Sequence, residues 1–182
     1  ISGVRMEERS PGSYRLNIRG SSLRSPFGVR NVKVYWNNIP LTDPGGNTYF
    51  NQLAFNNFSR MEVVKGPPSS MYGAGTGGLV LLNSLHNWKP GADAEYITGS
   101  YNLQNVLTSL RFGNNDARHE ITYAHNQTNG YRQQSKLRRD NISWSSQYKL
   151  HEKYSISTGV LYNDMYYQTP GALTQAQYDT NP

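Results

Sequence analysis

The densest group of residues with a known chemical use is a run of glycines, Gly73-Ala-Gly-Thr-Gly-Gly78. It fits the spacing G-x-G-x-x-G, which in dinucleotide-binding proteins lies between a strand and a helix. Here prolines and serines at 67–70 precede the run and the aliphatic stretch Leu79–Leu82 follows it, so neither element is in place. No Lys-Ser or Lys-Thr pair follows, which excludes a P-loop. The glycines instead predict a tight turn that passes close to other parts of the chain.

The four histidines, His86, His119, His125 and His151, lack the spacing of a metal site. His119 and His125 fall on one face of a predicted strand, but about 20 Å apart at the usual rise per residue. The chain has no cysteine, hence no thiolate ligand and no disulfide. We find no Ser-His-Asp arrangement, paired carboxylates or His-Glu-x-x-His. The sequence therefore predicts no catalytic residue, no metal site, no cofactor and no enzyme activity.

Charge and hydropathy exclude two further classes of protein. The net charge is +6, but the 18 lysines and arginines are scattered, and the densest spot, Lys136–Arg139, is predicted as loop. This pattern does not indicate a nucleic-acid-binding arm. The longest aliphatic run, Leu79–Leu82, is far shorter than the roughly 20 apolar residues of a transmembrane helix. The strands of a membrane β-barrel are still compatible with this sequence, because they alternate apolar and polar residues and a hydropathy average over several residues does not detect them.

The composition changes near residue 86, which predicts two domains. Eleven of the 17 glycines and six of the nine prolines come before this point, whereas ten of the 14 tyrosines come after it. We therefore place the domains at 1–85 and 86–182, and expect the first to be α+β with a small mixed sheet. Its predicted strands are Tyr14–Arg19, Asn31–Trp36, Arg60–Lys65 and Leu79–Leu82.

Alternation of apolar and polar residues predicts long antiparallel strands in the second domain. Ile142, Trp144 and Tyr148 share one face, and the serine, glutamine and lysine residues between them share the other. The same alternation recurs at 106–112, 119–125 and 154–162, and less clearly at 95–101. These five strands fit an incomplete transmembrane β-barrel, but a soluble β-sandwich with one wet face has the same pattern.

The connections between these strands alternate in length. Those at 114–115 and 151–152 are short, whereas those after 128 and 166 are long, as in outer-membrane barrels with short periplasmic turns. In a barrel, the residues that we expect to face lipid are Ile142, Trp144, Tyr148, Ile156, Val160, Leu110 and Val106. Those that we expect to face the lumen are Arg111, Gln147, Lys149 and Ser157.

The segment Phe58–Leu82 carries the most specific signal. Its Lys-Gly-Pro, Tyr-Gly, glycine cluster and apolar strand resemble the closing segment of the plug domain in TonB-dependent outer-membrane receptors. Upstream, Ile18-Arg19-Gly20, the strand and turn at Val32–Asp43, and Ile1–Val4 resemble further plug elements in the same order. One departure is Asn37-Asn38, which stands where the family commonly has Asp-Gly. The chain begins and ends within such elements, so we expect a fragment.

The resemblance implies a receptor in the outer membrane of a Gram-negative bacterium that takes up a scarce nutrient. Its implied partners are the TonB energy-transducing complex, the nutrient and outer-membrane lipid. The segment Tyr167–Pro182 resembles an outer loop of ferric dicitrate receptors, so the expected ligand is a ferric chelate of the siderophore or ferric citrate type. Vitamin B12, a glycan or another nutrient is the alternative ligand, and a soluble β-rich module that binds a ligand such as carbohydrate is the alternative function.

The resemblance also assigns residues. In a plug, the loops between residues 20 and 32 and between 43 and 53 would face the ligand. The predicted ligand-binding residues there are Arg24, Arg30, Asn47, Tyr49 and Gln52. The two arginines suit an anionic chelate, although pairing with barrel carboxylates is an open alternative. The residues that match the plug pattern, with a structural role, are Arg19, Gly20, Glu62, Lys65, Gly66, Tyr72, Gly73, Gly75, Gly77 and Gly78.

Overall fold

The computed structural model describes residues 1–10, 13–21, 31–54, 58–73, 75–172 and 174–180. These residues form a two-stranded, a four-stranded and a five-stranded sheet. Only one short α-helix occurs among them, α1 (Gln175–Thr180). No helix in the described part of the chain is long and apolar enough to cross a membrane.

The N-terminal part holds the two smaller sheets. Its strands are β1 (Val4–Ser10), β2 (Ser13–Ile18), β3 (Val32–Trp36), β4 (Ile39–Pro40), β5 (Arg60–Lys65) and β6 (Gly78–Asn83). Strands β1 and β2 form an antiparallel hairpin, and the four-stranded sheet has the order β4-β3-β6-β5. Strand β6 lies between a parallel neighbour, β3, and an antiparallel one, β5. Two 3₁₀ turns, Phe50–Gln52 and Ser70–Tyr72, connect the strands.

A small apolar core joins these elements. Strand β6 is buried on both faces, which accounts for its uninterrupted aliphatic sequence. Strand β3 alternates between buried and half-buried residues, so only one of its faces contributes to the core. The buried core residues are Leu16, Ile18, Val32, Val34, Trp36, Phe50, Leu53, Val80 and Leu82.

The five-stranded sheet contains the rest of the described strands, each paired with its neighbours in the sequence. They are β7 (Gly91–Gly99), β8 (Leu103–Gly113), β9 (Ala117–Thr128), β10 (Leu137–His151) and β11 (Tyr154–Tyr167). All pairs are antiparallel, in the order β11-β10-β9-β8-β7. The prediction of five antiparallel strands is confirmed. The connections at 114–116 and 152–153 are short and the one at 129–136 is long, as predicted, whereas the connection at 100–102, which lies at the same end of the sheet as 129–136, is short as well.

The two faces of this sheet differ in chemistry. Leu110, Ile121, Trp144 and Val160 lie directly opposite one another on successive strands and are 37–58% exposed. The opposite face carries Arg111, Gln147 and Ser157, together with serines that contact the N-terminal part. The predicted division of residues between the two faces is therefore confirmed, and the N-terminal part packs on the polar face.

Several predicted strands differ from the structure at their ends. The loop predicted at Lys136–Arg139 is wrong from residue 137 onward, because Leu137 is buried and begins β10, where it pairs with both neighbouring strands. Asn31 and Arg19 were included in strands but have φ of 63° and 49°, a left-handed conformation that ends a strand. Strand β7 begins at Gly91 rather than Glu95. Strand β1 was not predicted, because the charged run around Arg5 and Glu7 hides its alternation. The domain bounds 1–85 and 86–182 stay a prediction.

Candidate functional site

The largest described cavity, about 560 Å³, lies between the β1–β2 hairpin and the long connections of the large sheet. Long connections mark the outer end of a membrane barrel, so the cavity opens at that end. The residues that line it are Glu8, Tyr14, Asn126, Thr128, Gly130, Tyr131, Arg132, Ser135, Leu137, Thr169 and Pro170. Both the N-terminal part and the large sheet therefore contribute to one concave surface.

The β9–β10 connection is held in shape by backbone hydrogen bonds. The N–H of Asn129 donates to the carbonyl of Tyr101 at 2.8 Å, which ties this connection to the β7–β8 turn. The N–H of Gln168 donates to the carbonyl of Lys136 at 2.8 Å, which ties it to the end of β11. Gly130 has φ +70°, and a Cβ there would overlap Ser135. Only glycine fits at residue 130, where the two ends of the β9–β10 connection approach each other. The conformation of the turn that carries Tyr131 and Arg132 is therefore defined.

The lining combines aromatic rings, hydroxyls and charge. Tyr131 is 77% exposed, so its ring is available to an incoming molecule. Arg132 supplies a planar guanidinium that can bind a carboxylate through two hydrogen bonds, and Glu8 supplies the opposing charge. The described residues contain no group of three or more His, Cys, Asp or Glu side chains able to hold a metal ion. The lining therefore offers one guanidinium, one carboxylate, hydroxyls and an exposed aromatic ring.

The predicted ligand-binding residues lie elsewhere. Arg24 and Arg30 fall outside the described residues, while Asn47, Tyr49 and Gln52 do not line the 560 Å³ cavity. The side chain of Tyr49 is 51% exposed. Gln52 exposes its side chain, and its carbonyl accepts a hydrogen bond from Asn141 on β10 at 2.9 Å. The role of these residues in binding stays a prediction.

Asn47 belongs to a tight turn that starts at Asp43. Its backbone N–H donates to the carboxylate of Asp43 at 2.8 Å, and its carbonyl accepts from the Asp43 N–H at 2.9 Å. The hydrogen bond from the Asn47 N–H holds the pKa of Asp43 below its ordinary value. This turn fixes the start of the segment that carries Tyr49.

The residues of the plug pattern come together in the N-terminal part. A groove of about 260 Å³ is lined by Ile18, Arg19, Gly20, Ser21, Asn31, Gly66, Thr76 and Gly77. A Cβ at Gly77 would lie 2.6 Å from Cβ of Ser21 and 2.9 Å from the carbonyl of Asn31. Close backbone approach therefore requires glycine here.

Other plug-pattern residues lie along β5 and the turn that follows. Glu62 pairs with Arg60 at 2.9 Å, and Lys65 ends β5 before Gly66, whose φ is 113°. The ring of Tyr72 packs edge-on against Tyr35 at 5.3 Å between ring centres. A Cβ at Gly75 would lie 2.9 Å from Cγ of Lys33. Gly73 and Gly78 have φ of 71° and 143°, a conformation that favours glycine.

Sequence reasoning missed Tyr14, Tyr131 and Arg132 as lining residues. Tyr14 was predicted only as part of a strand, and the other two only as part of a polar loop. The available signal was the Gly130-Tyr131-Arg132 sequence, in which glycine forces a turn and an aromatic and a cation follow it. Nothing in the sequence indicates that the β1–β2 hairpin completes the same cavity.

Known proteins resemble this chain both in the sequence of its N-terminal part and in its overall fold. Residues 1–80 match the family model described as TonB-dependent Receptor Plug Domain. The structure is similar to the "Copper transporter OprC", with a TM-score of 0.69 and 17% identity, over 93% of this chain and 27% of that one. It is also similar to the ferric yersiniabactin uptake receptor FyuA from Yersinia pestis, with a TM-score of 0.60 and 12% identity, over 91% of this chain and 28% of that one.

A third similar structure is the pyoverdine outer membrane receptor FpvA from Pseudomonas aeruginosa PAO1. Its TM-score is 0.62 and its identity 15%, over 90% of this chain and 24% of that one. The chain thus spans about a quarter of the length of these three solved structures. At these identities the likeness concerns the fold.

The fold is that of a plugged outer-membrane barrel: a small mixed domain lies against the polar face of a sheet whose other face is apolar and exposed. Residues 1–80 are a plug domain of the TonB-dependent receptor type, and antiparallel strands with the fold of an incomplete barrel follow them. The location of the protein is accordingly the outer membrane of a Gram-negative bacterium. The predicted family, fold class and location are confirmed.

Proposed function

We propose that the receptor containing this chain takes up an anionic ferric chelate, of the siderophore or ferric citrate type, and has no enzyme activity. The observation that carries the proposal is the 560 Å³ outer cavity with Tyr14, Tyr131 and Arg132 in its lining. Its volume lies within the range of roughly 300–1,000 Å³ that small-molecule sites occupy. Two similar structures are a ferric yersiniabactin uptake receptor and a pyoverdine receptor, which supports this ligand class.

Charge at the outer end supports an anionic ligand. Lys136, Arg138 and Arg139 follow Arg132 closely in the sequence. Arg138 pairs with Asp164 at 2.7 Å and Arg139 donates to the carbonyl of Asn51 at 3.4 Å. Arg132 lines the cavity itself and is therefore placed to bind carboxylates of a chelate. The TonB complex is the proposed partner that moves the plug after binding, and outer-membrane lipid surrounds the barrel.

Titration of the full-length receptor tests the proposal. Arg132→Ala is compared with Lys136→Ala, which removes the same charge from the same connection but from a residue that does not line the cavity. Loss of a charged hydrogen bond of about 1.5–3 kcal/mol weakens affinity roughly ten- to hundredfold. We expect this loss for Arg132→Ala with ferric citrate or an anionic siderophore, and little change with a neutral chelate.

The Lys136→Ala control separates direct contact from long-range attraction. If both variants lose affinity equally, the effect is general electrostatics and the cavity is not the site. If the wild-type receptor binds no ferric chelate, the proposed ligand is wrong while the family assignment stands.

A further inference from the structure

The plug touches the barrel wall through the turn between β3 and β4. Asn37 and Asn38 form this turn with φ of 47° and 71°, the left-handed conformations of a two-residue hairpin. Asn38 is exposed, whereas Asn37 is only 9% exposed. The burial of Asn37 indicates that its side chain contacts residues outside the β3–β4 hairpin.

Asn37 links three parts of the molecule. Its Oδ1 accepts from the backbone N–H of Ser84, at the exit from the plug, at 2.9 Å. Its Nδ2 donates to Oγ of Ser145 on the barrel strand β10, also at 2.9 Å. The neighbouring Trp36 donates its indole N–H to Oγ of Ser84 at 2.9 Å. The turn is therefore bonded both to the plug exit and to the wall.

The β3–β4 turn contacts the barrel sheet at a row of residues that are paired with one another across β9, β10 and β11. Ser145 lies directly opposite Glu120 on β9 and Gly159 on β11. A Cβ at Gly159 would lie 2.9 Å from Cζ3 of Trp36, so the glycine makes room for the indole ring. Residues directly opposite on neighbouring strands have Cβ atoms about 4.5–5.5 Å apart. Glu120 therefore lies next to the serine that receives the Asn37 amide.

The carboxylate of Glu120 is buried in this row, and its cation partner there is Arg111. Glu120 is 7% exposed, and its Oε1 lies 3.9 Å from Nη1 of Arg111. Arg111 also pairs with Asp93, so one guanidinium serves two carboxylates. Oε2 of Glu120 is buried and has no hydrogen-bond partner in the described part of the chain. An aspartate in place of Asn37 would put a second carboxylate close to the buried one of Glu120, and an unpaired buried charge is costly.

We propose that Asn37 is a positioning residue that holds the plug on the barrel wall, and that it must be uncharged because Glu120 lies beside its hydrogen-bond partner, Ser145. Asn37 and Glu120 form a matched pair: the amide supplies the hydrogen bond to Ser145 without a second negative charge. Together they keep the plug closed against the β9–β11 part of the lumen.

The test measures leak conductance of the full-length receptor in planar bilayers without ligand. Asn37→Asp keeps the shape of the side chain but adds a charge, and it should raise the leak about tenfold through a buried unbalanced charge. Adding Glu120→Gln to Asn37→Asp should return the leak close to the wild-type level. Asn38→Asp is the matched control, because it makes the same change at an exposed residue of the same turn.

The double variant decides between the pairing and a purely structural role. If Asn37→Asp leaks no more than Asn38→Asp, or if Glu120→Gln does not reduce the leak of Asn37→Asp, the inference is overturned. If Asn37→Asp does not fold, folding of the double variant supports the pairing and its failure overturns it. The inference rests on the plug-and-barrel fold and needs no ligand, so its failure is distinguishable from failure of the ferric-chelate proposal.

Discussion

A charge placed on the two faces of β11 should have opposite consequences. Thr158 and Ser157 are adjacent, similar in size and on opposite faces of the strand. Thr158 lies midway between the exposed tyrosines Tyr154 and Tyr162, on the face that also carries Val160. The eight steps from Tyr154 to Tyr162 span about 26 Å along the strand at roughly 3.3 Å per residue, or about 20 Å along the membrane normal at a strand tilt of about 40°. A barrel has an apolar band about 25 Å tall between aromatic girdles, measured along the membrane normal, so Thr158 is near the membrane midplane.

The expected costs follow from this geometry. Arginine near the midplane on the lipid face costs about 2–4 kcal/mol, so Thr158→Arg should lower the free energy of unfolding by that amount. Ser157→Arg places the same group in the wet lumen and should cost less than about 1 kcal/mol. The assay is reversible urea unfolding of the full-length receptor in lipid vesicles. Equal losses for the two variants, or a larger loss for Ser157→Arg, would refute the assignment of the faces.

Two further predictions concern the plug. Gly159→Val should clash with the Trp36 ring and lower the free energy of unfolding by about 1–3 kcal/mol, whereas Gly171→Val, with no atom within 4 Å of its added Cβ, should have little effect in the same denaturation assay. Because the folded pKa of Asp43 is lowered from 3.8, its contribution to stability should be complete above pH 3.8 and lost as the pH falls through the folded pKa. Asp43→Asn should remove this part of the pH dependence of unfolding, and an unchanged profile would contradict the hydrogen bond to Asn47.

The barrel strands could be predicted from the sequence because the polarity of each side chain depends on the face of the sheet on which it lies. Alternation at Ile142, Trp144 and Tyr148 follows from the pleat of a strand with one apolar face, so the pattern is local. The uninterrupted run Leu79–Leu82 likewise indicated a strand buried on both faces. These features need no knowledge of the rest of the fold.

Other features depend on residues far apart in the sequence. The parallel pairing of β3 with β6 joins residue 32 to residue 78, and no local pattern specifies that register. The outer cavity is lined by Tyr14 and Tyr131, which are far apart in the sequence. The contact between plug and barrel likewise depends on a hydrogen bond between the distant residues Asn37 and Ser145. The sequence does not indicate that Asn37 contacts β10, because Ser145 lies 108 residues further along the chain.

The most direct test of the plug-and-barrel account is a spin-label scan along β11 in the full-length receptor in lipid. The chain has no cysteine, so single cysteines from residue 154 to 162 can be labelled selectively in this part of the receptor. The account predicts that labels at Ile156, Thr158 and Val160 are accessible to oxygen dissolved in lipid, while those at Ser155 and Ser157 are accessible to a water-soluble nickel complex. Accessibility to the nickel complex at every position, without a period of two residues, would contradict it.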